Sequence, residues 1–251
     1  MVELQTCNGL ARLTLNHGKV NAMDLELLVE LNETLDQLGH DRKIRGLILA
    51  GNPRVFSAGI DLKRLVAEPV DYLDRFLPQL SGLFVRALNF PRPLVVAVTG
   101  HAIAGGCVLA CTGDYRVVST QARIGIPEMR VGVPFPTAGL EIMRWATQPR
   151  FFRKMINTGA TWTGEEAVSA GLADQACEPE RLMETAHQAM AEIQTIPPAV
   201  FELTKRQTRF PVVRQIEAGD AEFDSEIQQR WRATETRQAV RQYVEQRLGQ
   251  A

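Results

Sequence analysis

The chain has 251 residues, 45% hydrophobic and 23% charged, with 28 basic against 29 acidic side chains and a formal net charge of −1. That length suits one large domain, or one domain with an appendage. Balanced charge argues against nucleic acid or an anionic membrane as the main partner, and no apolar run approaches the roughly 20 residues that a membrane-spanning helix needs.

ARLTLN (11–16) alternates apolar and polar residues and predicts a half-buried strand. AMDLELLVELNETLDQL (22–38) places Leu25, Leu28, Leu31 and Leu35 at spacings of three and four, the signature of a helix with one apolar face, and Asp24 falls in its first turn. GLILAG (46–51) and LVVAVTG (94–100) read as buried strands, and 70–90 as a helix broken or bent near Pro78. Strands alternating with helices indicate an α/β architecture with parallel strands. Beyond about residue 195 the pattern turns wholly helical, and Phe223, Ile227, Trp231, Val240, Tyr243, Val244 and Leu248 form one apolar stripe. Such a stripe serves either the chain's own core or a contact between subunits.

Cys7, Cys107, Cys111 and Cys177 show no C-x-x-C spacing and read as core thiols in a reduced compartment, and the four histidines form no metal-ligand set. The N-terminus lacks a basic segment leading into an apolar one, and the C-terminus carries no peroxisomal or prenylation signal, so the expectation is a bacterial cytosol.

Three segments carry chemistry. In RVFSAGIDLKRL (54–65) the small residues Ala58 and Gly59 would let a ligand approach the backbone, and Ile60 presents an N–H at the following turn. Taken alone, this segment reads first as an ordinary strand-to-helix turn with Asp61 as a first-turn acid or cap. HAIAGGCVLACTG (101–113) reads as a loop, then Gly105-Gly106, then a helix whose first amides have no internal acceptor. It matches neither a P-loop nor a dinucleotide fingerprint. ARIGIPEMRVGVPFPTAG (122–139) is mostly loop, with Glu128 among Ile126, Pro127, Met129 and Val131. Desolvation there would raise its pKa and suit it to proton transfer, whereas an ion pair with Arg130 or Arg123 would make it structural. Two amide donors and one carboxylate are the equipment for stabilising an enolate beside a thioester.

These residues resemble the crotonase (enoyl-CoA hydratase/isomerase) superfamily, from GKVNAMD (18–24) through FSAGIDL (56–62), AGGC followed by DYR, and IGIPEMRVGVP (124–134) to the C-terminal helices. The resemblance implies a spiral of ββα turns over 1–195 and a helical oligomerisation region over 196–251, assembled as a homotrimer or a dimer of trimers. It implies an acyl-CoA thioester as substrate, with no further cofactor and no metal. The oxyanion hole would be the backbone N–H groups of Ile60 and Gly105. Lys19 would serve the CoA phosphates, and Ala22, Ser57, Ala58, Gly59, Asp61, Leu62, Ala104, Gly106 and Pro127 would complete the contact set. An acyl pocket would draw on Leu65, Val66, Leu73, Phe76, Leu77 and Phe135.

Hydratases of this superfamily carry two glutamates, and one of those positions is Val108 here, with Glu128 at the other. A single carboxylate suits Δ3,Δ2-enoyl-CoA isomerisation, as in the mitochondrial-type isomerases of fatty acid oxidation. The alternatives are a hydratase or another acyl-CoA lyase or hydrolase, using Asp114 or Glu141, and a non-catalytic acyl-CoA-binding protein.

Overall fold

The computed structural model describes residues 1–248. Two strands, β1 (Val2–Cys7) and β2 (Leu10–Leu15), form an antiparallel hairpin around Asn8 and Gly9, both with positive φ (50° and 81°), the conformation that the tightest hairpin turns require. β2 alternates buried and half-buried residues as its sequence predicts, whereas β1 lies exposed at the sheet edge. Helix α1 (Leu25–His40) begins where Asp24 accepts a hydrogen bond from the Leu27 N–H (2.8 Å), so this acid is the N-cap.

The chain then repeats one unit: a strand to a large sheet, a strand to a small one, then helix. β3 (Gly46–Ala50) and β4 (Val55–Ser57) precede α2 (Leu62–Ala67) and α3 (Tyr72–Leu88). β5 (Leu94–Val98) and β6 (His101–Ile103) precede α4 (Gly105–Ala110). β7 (Tyr115–Ser119) and β8 (Arg123–Gly125) precede α5 (Glu128–Val131), α6 (Thr137–Ala146) and α7 (Pro149–Thr158). β9 (Thr161–Thr163), α8 (Gly164–Ala170), β10 (Gln175–Cys177) and α9 (Leu182–Ile193) complete the spiral. The large sheet runs β1-β2-β3-β5-β7-β10 and the small one β4-β6-β8-β9, parallel except for the β1–β2 and β8–β9 pairs.

β3 and β5 are uninterrupted apolar runs because both faces of the large sheet are covered. Leu47, Leu49, Leu94 and Val96 join the main core with α1 and α3, whereas Ile48, Ala50, Val95 and Ala97 meet Leu182, Ala186 and Met190 of α9. Helix α3 continues unbroken through Pro78, so of the expected break or bend the break does not occur. HAI, predicted as loop, is a strand because β4 and β8 pair with it on either side.

α10 (Pro198–Arg232) and α11 (Thr234–Tyr243) lie on the same core through Val212, Ile216, Trp231 and Val240. The predicted stripe belongs to two helices, since Ala233 is extended (φ −62°, ψ 141°) and redirects the chain. Phe223 is exposed while Ile227, Tyr243 and Val244 are half-buried; Leu248's side chain lies outside the described residues. A buried ion cluster docks α10: Asp114 accepts from Lys205 Nζ (2.6 Å), from Arg209 (2.6 Å) and from the Leu94 N–H (2.8 Å). Burial pushes Lys205 down to about 7. Cys107 and Cys111 are core thiols as expected, but Cys7 is exposed on the edge strand and Cys177 half-buried at the far end of the sheet.

Candidate active site

Three neighbouring parallel strands of the small sheet each deliver one part of the site at their C-terminal ends. β4 ends at Ser57 and leads to Ile60, β6 ends at Ile103 and leads to Gly105, and β8 ends at Gly125 and leads to Glu128. The register pairs Ser57 with Ala102, and Ile103 with Gly125, so the three loops emerge side by side. C-terminal strand ends are where α/β sheets place ligands.

On the first loop, hydrogen bonding uses up every N–H but one. Ala58 donates to the Val20 carbonyl (3.0 Å), Gly59 to Ser57 Oγ (3.1 Å) and Asp61 to the Met23 carbonyl (3.0 Å). The Ile60 N–H finds no acceptor among the described residues. Asp61 also caps α2 by accepting from the Arg64 N–H (2.9 Å). Ser57 is buried, its hydroxyl donating to the Asn21 carbonyl (2.7 Å), so its side chain braces the corner instead of facing a ligand.

On the second loop, the Ala104 N–H donates to the Gly125 carbonyl (2.9 Å), and the Ala104 carbonyl receives Cys107 and Val108. The Gly105 and Gly106 amides, first in α4, find no acceptor among the described residues, as the start of any helix requires. Ala104 holds φ 54°, ψ −128°, an unfavourable region for a residue with a Cβ and a strain of about 1–3 kcal/mol that turns the chain abruptly into α4.

Glycine is needed where the two loops touch. Gly59 has φ +83°, and a Cβ there would lie 2.7 Å from Ala104 Cβ and 3.0 Å from the Gly105 nitrogen. A Cβ on Gly106 would meet the Ser57 carbonyl oxygen at 2.4 Å. The two free amides of Ile60 and Gly105 are therefore held together by contacts that admit no side chain.

Glu128 opens α5 and is 8% exposed, with Oε2 buried and without a hydrogen-bond partner among the described residues. Burial pushes its pKa up to about 8. Burial, first of all, pushes the Cys107 thiol of α4 upward, with the neighbouring Cys111 and the Glu128 carboxylate adding to the shift. The alternative ion pairs are absent among the described residues: Arg130 donates to the Thr158 carbonyl, and Arg123 to Thr161 (2.9 Å to Oγ1). Val108, one turn along α4 from Gly105, is buried, and a Cβ on Gly139 of α6 would lie 3.8 Å from its methyl. Asp114 is tied into the ion cluster and Glu141 pairs with Arg144 (3.1 Å), so both alternative acids are engaged elsewhere.

The remaining expected contact residues spread around this cluster. Ala22, Leu62 and Pro127 are half-buried beside it, and Lys19 is exposed on the turn whose Val20 carbonyl receives Ala58. Leu65, Leu73, Phe76 and Leu77 are buried in the main core, with Val66 and Phe135 packed partly buried against it. Sequence reasoning missed Asn21, which sits wholly buried at φ 48°. Its amide donates to the carbonyls of Leu15 (3.1 Å), Val55 (3.2 Å) and Phe56 (3.0 Å) and accepts from the His17 N–H (2.8 Å), fixing β4 to the end of β2. An asparagine between a turn and a helix, able to adopt positive φ, was the available signal. His101 is exposed, and its Nδ1 accepts from the Arg123 N–H (3.0 Å), a structural role.

Two backbone N–H groups without acceptors among the described residues and a desolvated carboxylate follow adjacent strand ends of a two-sheet spiral, the parts from which a site for a carbonyl oxygen and a general base can be built. The sequence matches the family model described as Enoyl-CoA hydratase/isomerase over residues 5–250, and the chain belongs to that family. It is similar to Enoyl-CoA delta isomerase 1, mitochondrial, of Homo sapiens, 31% identical over 212 residues that cover 83% of this chain and 70% of that protein. It is also similar to a Probable enoyl-CoA hydratase of Rhizobium meliloti (strain 1021), 32% identical over 194 residues, covering 77% and 74%. Among solved structures, human mitochondrial delta3-delta2-enoyl-CoA isomerase superposes with a TM-score of 0.93 at 26% identity, covering 99% of this chain and 98% of that one. A probable enoyl-CoA hydratase from Mycobacterium tuberculosis gives 0.81 at 33% identity, covering 90% and 95%. The architecture is thus the crotonase fold. No helix among the described residues is long and apolar enough to cross a membrane.

Proposed function

We propose that this enzyme is a Δ3,Δ2-enoyl-CoA isomerase, shifting the double bond of a 3-enoyl-CoA to the 2-trans position in fatty acid oxidation. The observation that carries the reading is the lone buried carboxylate of Glu128, unpaired at Oε2, with the apolar Val108 where a second acid would be needed to add water.

In this reading the thioester carbonyl oxygen accepts from the Ile60 and Gly105 N–H groups. The Glu128 carboxylate takes a proton from carbon 2, and the C–H electron pair moves toward the carbonyl, giving a dienolate whose negative oxygen is held by the two amides. The same carboxyl group returns the proton to carbon 4; the carbonyl re-forms and the double bond now joins carbons 2 and 3. One acid suffices because the proton is removed and returned by a single group. Each oxyanion donor contributes about 2.7–4 kcal/mol to such a transition state. Coenzyme A enters as part of the substrate, with Lys19 on its phosphates, and the steps call for no other cofactor. The exposure of Phe210 (62%) and Phe223 (54%) on α10 supports assembly of 196–251 against other copies, as a homotrimer or a dimer of trimers.

Incubating the purified protein with cis- and trans-3-enoyl-CoA tests the reading. Formation of 2-trans-enoyl-CoA that disappears in Glu128→Ala is expected. No such product, or unchanged turnover in the variant, would overturn it.

A further inference from the structure

The far end of the large sheet carries a cavity that the proposed isomerisation does not use. It measures about 500 Å³ and lies where the N-terminal ends of β3 and β5 meet the start of α10. Ile60, Gly105 and Glu128 follow the C-terminal ends of strands in the other sheet, and none of them lines it.

Three guanidinium groups, those of Arg42, Arg45 and Arg92, share its wall. None makes an ion pair with a carboxylate among the described residues. Arg45 donates to the Asn8 carbonyl (3.2 Å) and Arg92 Nε to the Ile44 carbonyl (3.1 Å), which orients both forks and leaves other N–H groups free. One carboxylate, Glu202, also lines the cavity, so the wall keeps an excess of positive charge.

One further feature points to an acceptor-rich ligand: the Ala199 N–H, at the start of the 35-residue α10, has no acceptor among the described residues. The positive end of that long helix favours an anion. The other walls are apolar, with Ile193, Ile196 and the Phe201 ring, and the volume is that of a small-molecule pocket and well above that of one phosphate.

We propose that this cavity is a binding site for a nucleotide-sized organic phosphate, its phosphate on the arginine forks and the α10 amide, its base against Phe201 and the neighbouring isoleucines. Planar guanidinium forks match phosphate oxygens in pairs, and their attraction weakens with salt. The site stands independently of the isomerase reading.

Calorimetric titration of the full chain with AMP and, separately, inorganic phosphate at low salt tests it. Expected are saturable AMP binding that weakens as salt rises, tighter binding of AMP than of phosphate, at least a tenfold loss in Arg42→Ala/Arg45→Ala, and tighter binding in Glu202→Gln. Melting curves without ligand that stay close to wild type show that the variants fold. The proposal is overturned if AMP does not bind, if phosphate binds as well as AMP, or if the double variant binds AMP unchanged. It is equally overturned if an acyl-CoA displaces AMP while Glu202→Gln has no effect, because the nucleotide would then sit in the thioester site.

Discussion

Replacing Glu128 by glutamine keeps the shape of the side chain and removes its titration, so stability and catalysis can be read against pH together. Burial raises this carboxyl from 4.5 to about 8. Below pH 4.5 the folded and unfolded chains both hold the proton, and the group adds no pH dependence. Between 4.5 and about 8 the unfolded chain releases it while the folded chain retains it, so stability falls as pH rises. Above about 8 the full cost stands, and a gap of about 3.5 pH units at 1.36 kcal/mol each gives roughly 5 kcal/mol. Glu128→Gln should therefore match the wild type in urea denaturation at pH 4 and exceed it by several kcal/mol at pH 9, while losing isomerisation at every pH. In the wild type, kcat/KM for a 3-enoyl-CoA should climb with an apparent pKa near 8, because only the carboxylate accepts the proton. Parallel stability curves for the two proteins, or a wild-type rate already flat from pH 6 to 9, would refute the reasoning.

Gly59→Ala should cut kcat about 10²–10³-fold by pushing Ala104 and Gly105 away from Ile60, since its Cβ would stand 2.7 Å from Ala104 Cβ; steady-state kinetics on 3-enoyl-CoA checks this. Asn21→Ala leaves three buried carbonyls and one N–H unpaired and should cost about 3 kcal/mol or more, read from the denaturation midpoint. Asp114→Ala strands the buried charge of Arg209 and leaves Lys205 and the Leu94 N–H without their acceptor, and should cost about 3–5 kcal/mol, with α10 losing hydrogen-exchange protection before the sheets do.

The main elements were legible because their periodicities are strong: the leucine spacing of α1, the alternation in β2 and the apolar runs of β3 and β5 each reflect a burial pattern that the fold realises. The β1–β2 hairpin carried a readable Asn-Gly signal, but its first strand is an exposed edge without alternation. β6 was hidden because three residues hold no period; its neighbours β4 and β8 make it a strand. At the site, residue types pointed to Ile60, Gly105 and Glu128, but their adjacency arises from strand order in the small sheet, which no local spacing encodes. The strain at Ala104 and the buried hydrogen bonds of Asn21 are likewise products of tertiary contact. The C-terminal stripe misled because a helical period carries across Ala233, where one extended residue separates two helices.

If Glu128 alone moves the double bond, with no second acid to add water, one wild-type preparation should convert 3-enoyl-CoA to 2-trans-enoyl-CoA orders of magnitude faster than it hydrates 2-trans-enoyl-CoA to the 3-hydroxy thioester. Glu128→Gln should abolish the isomerisation. Hydration as fast as or faster than isomerisation would contradict the isomerase reading.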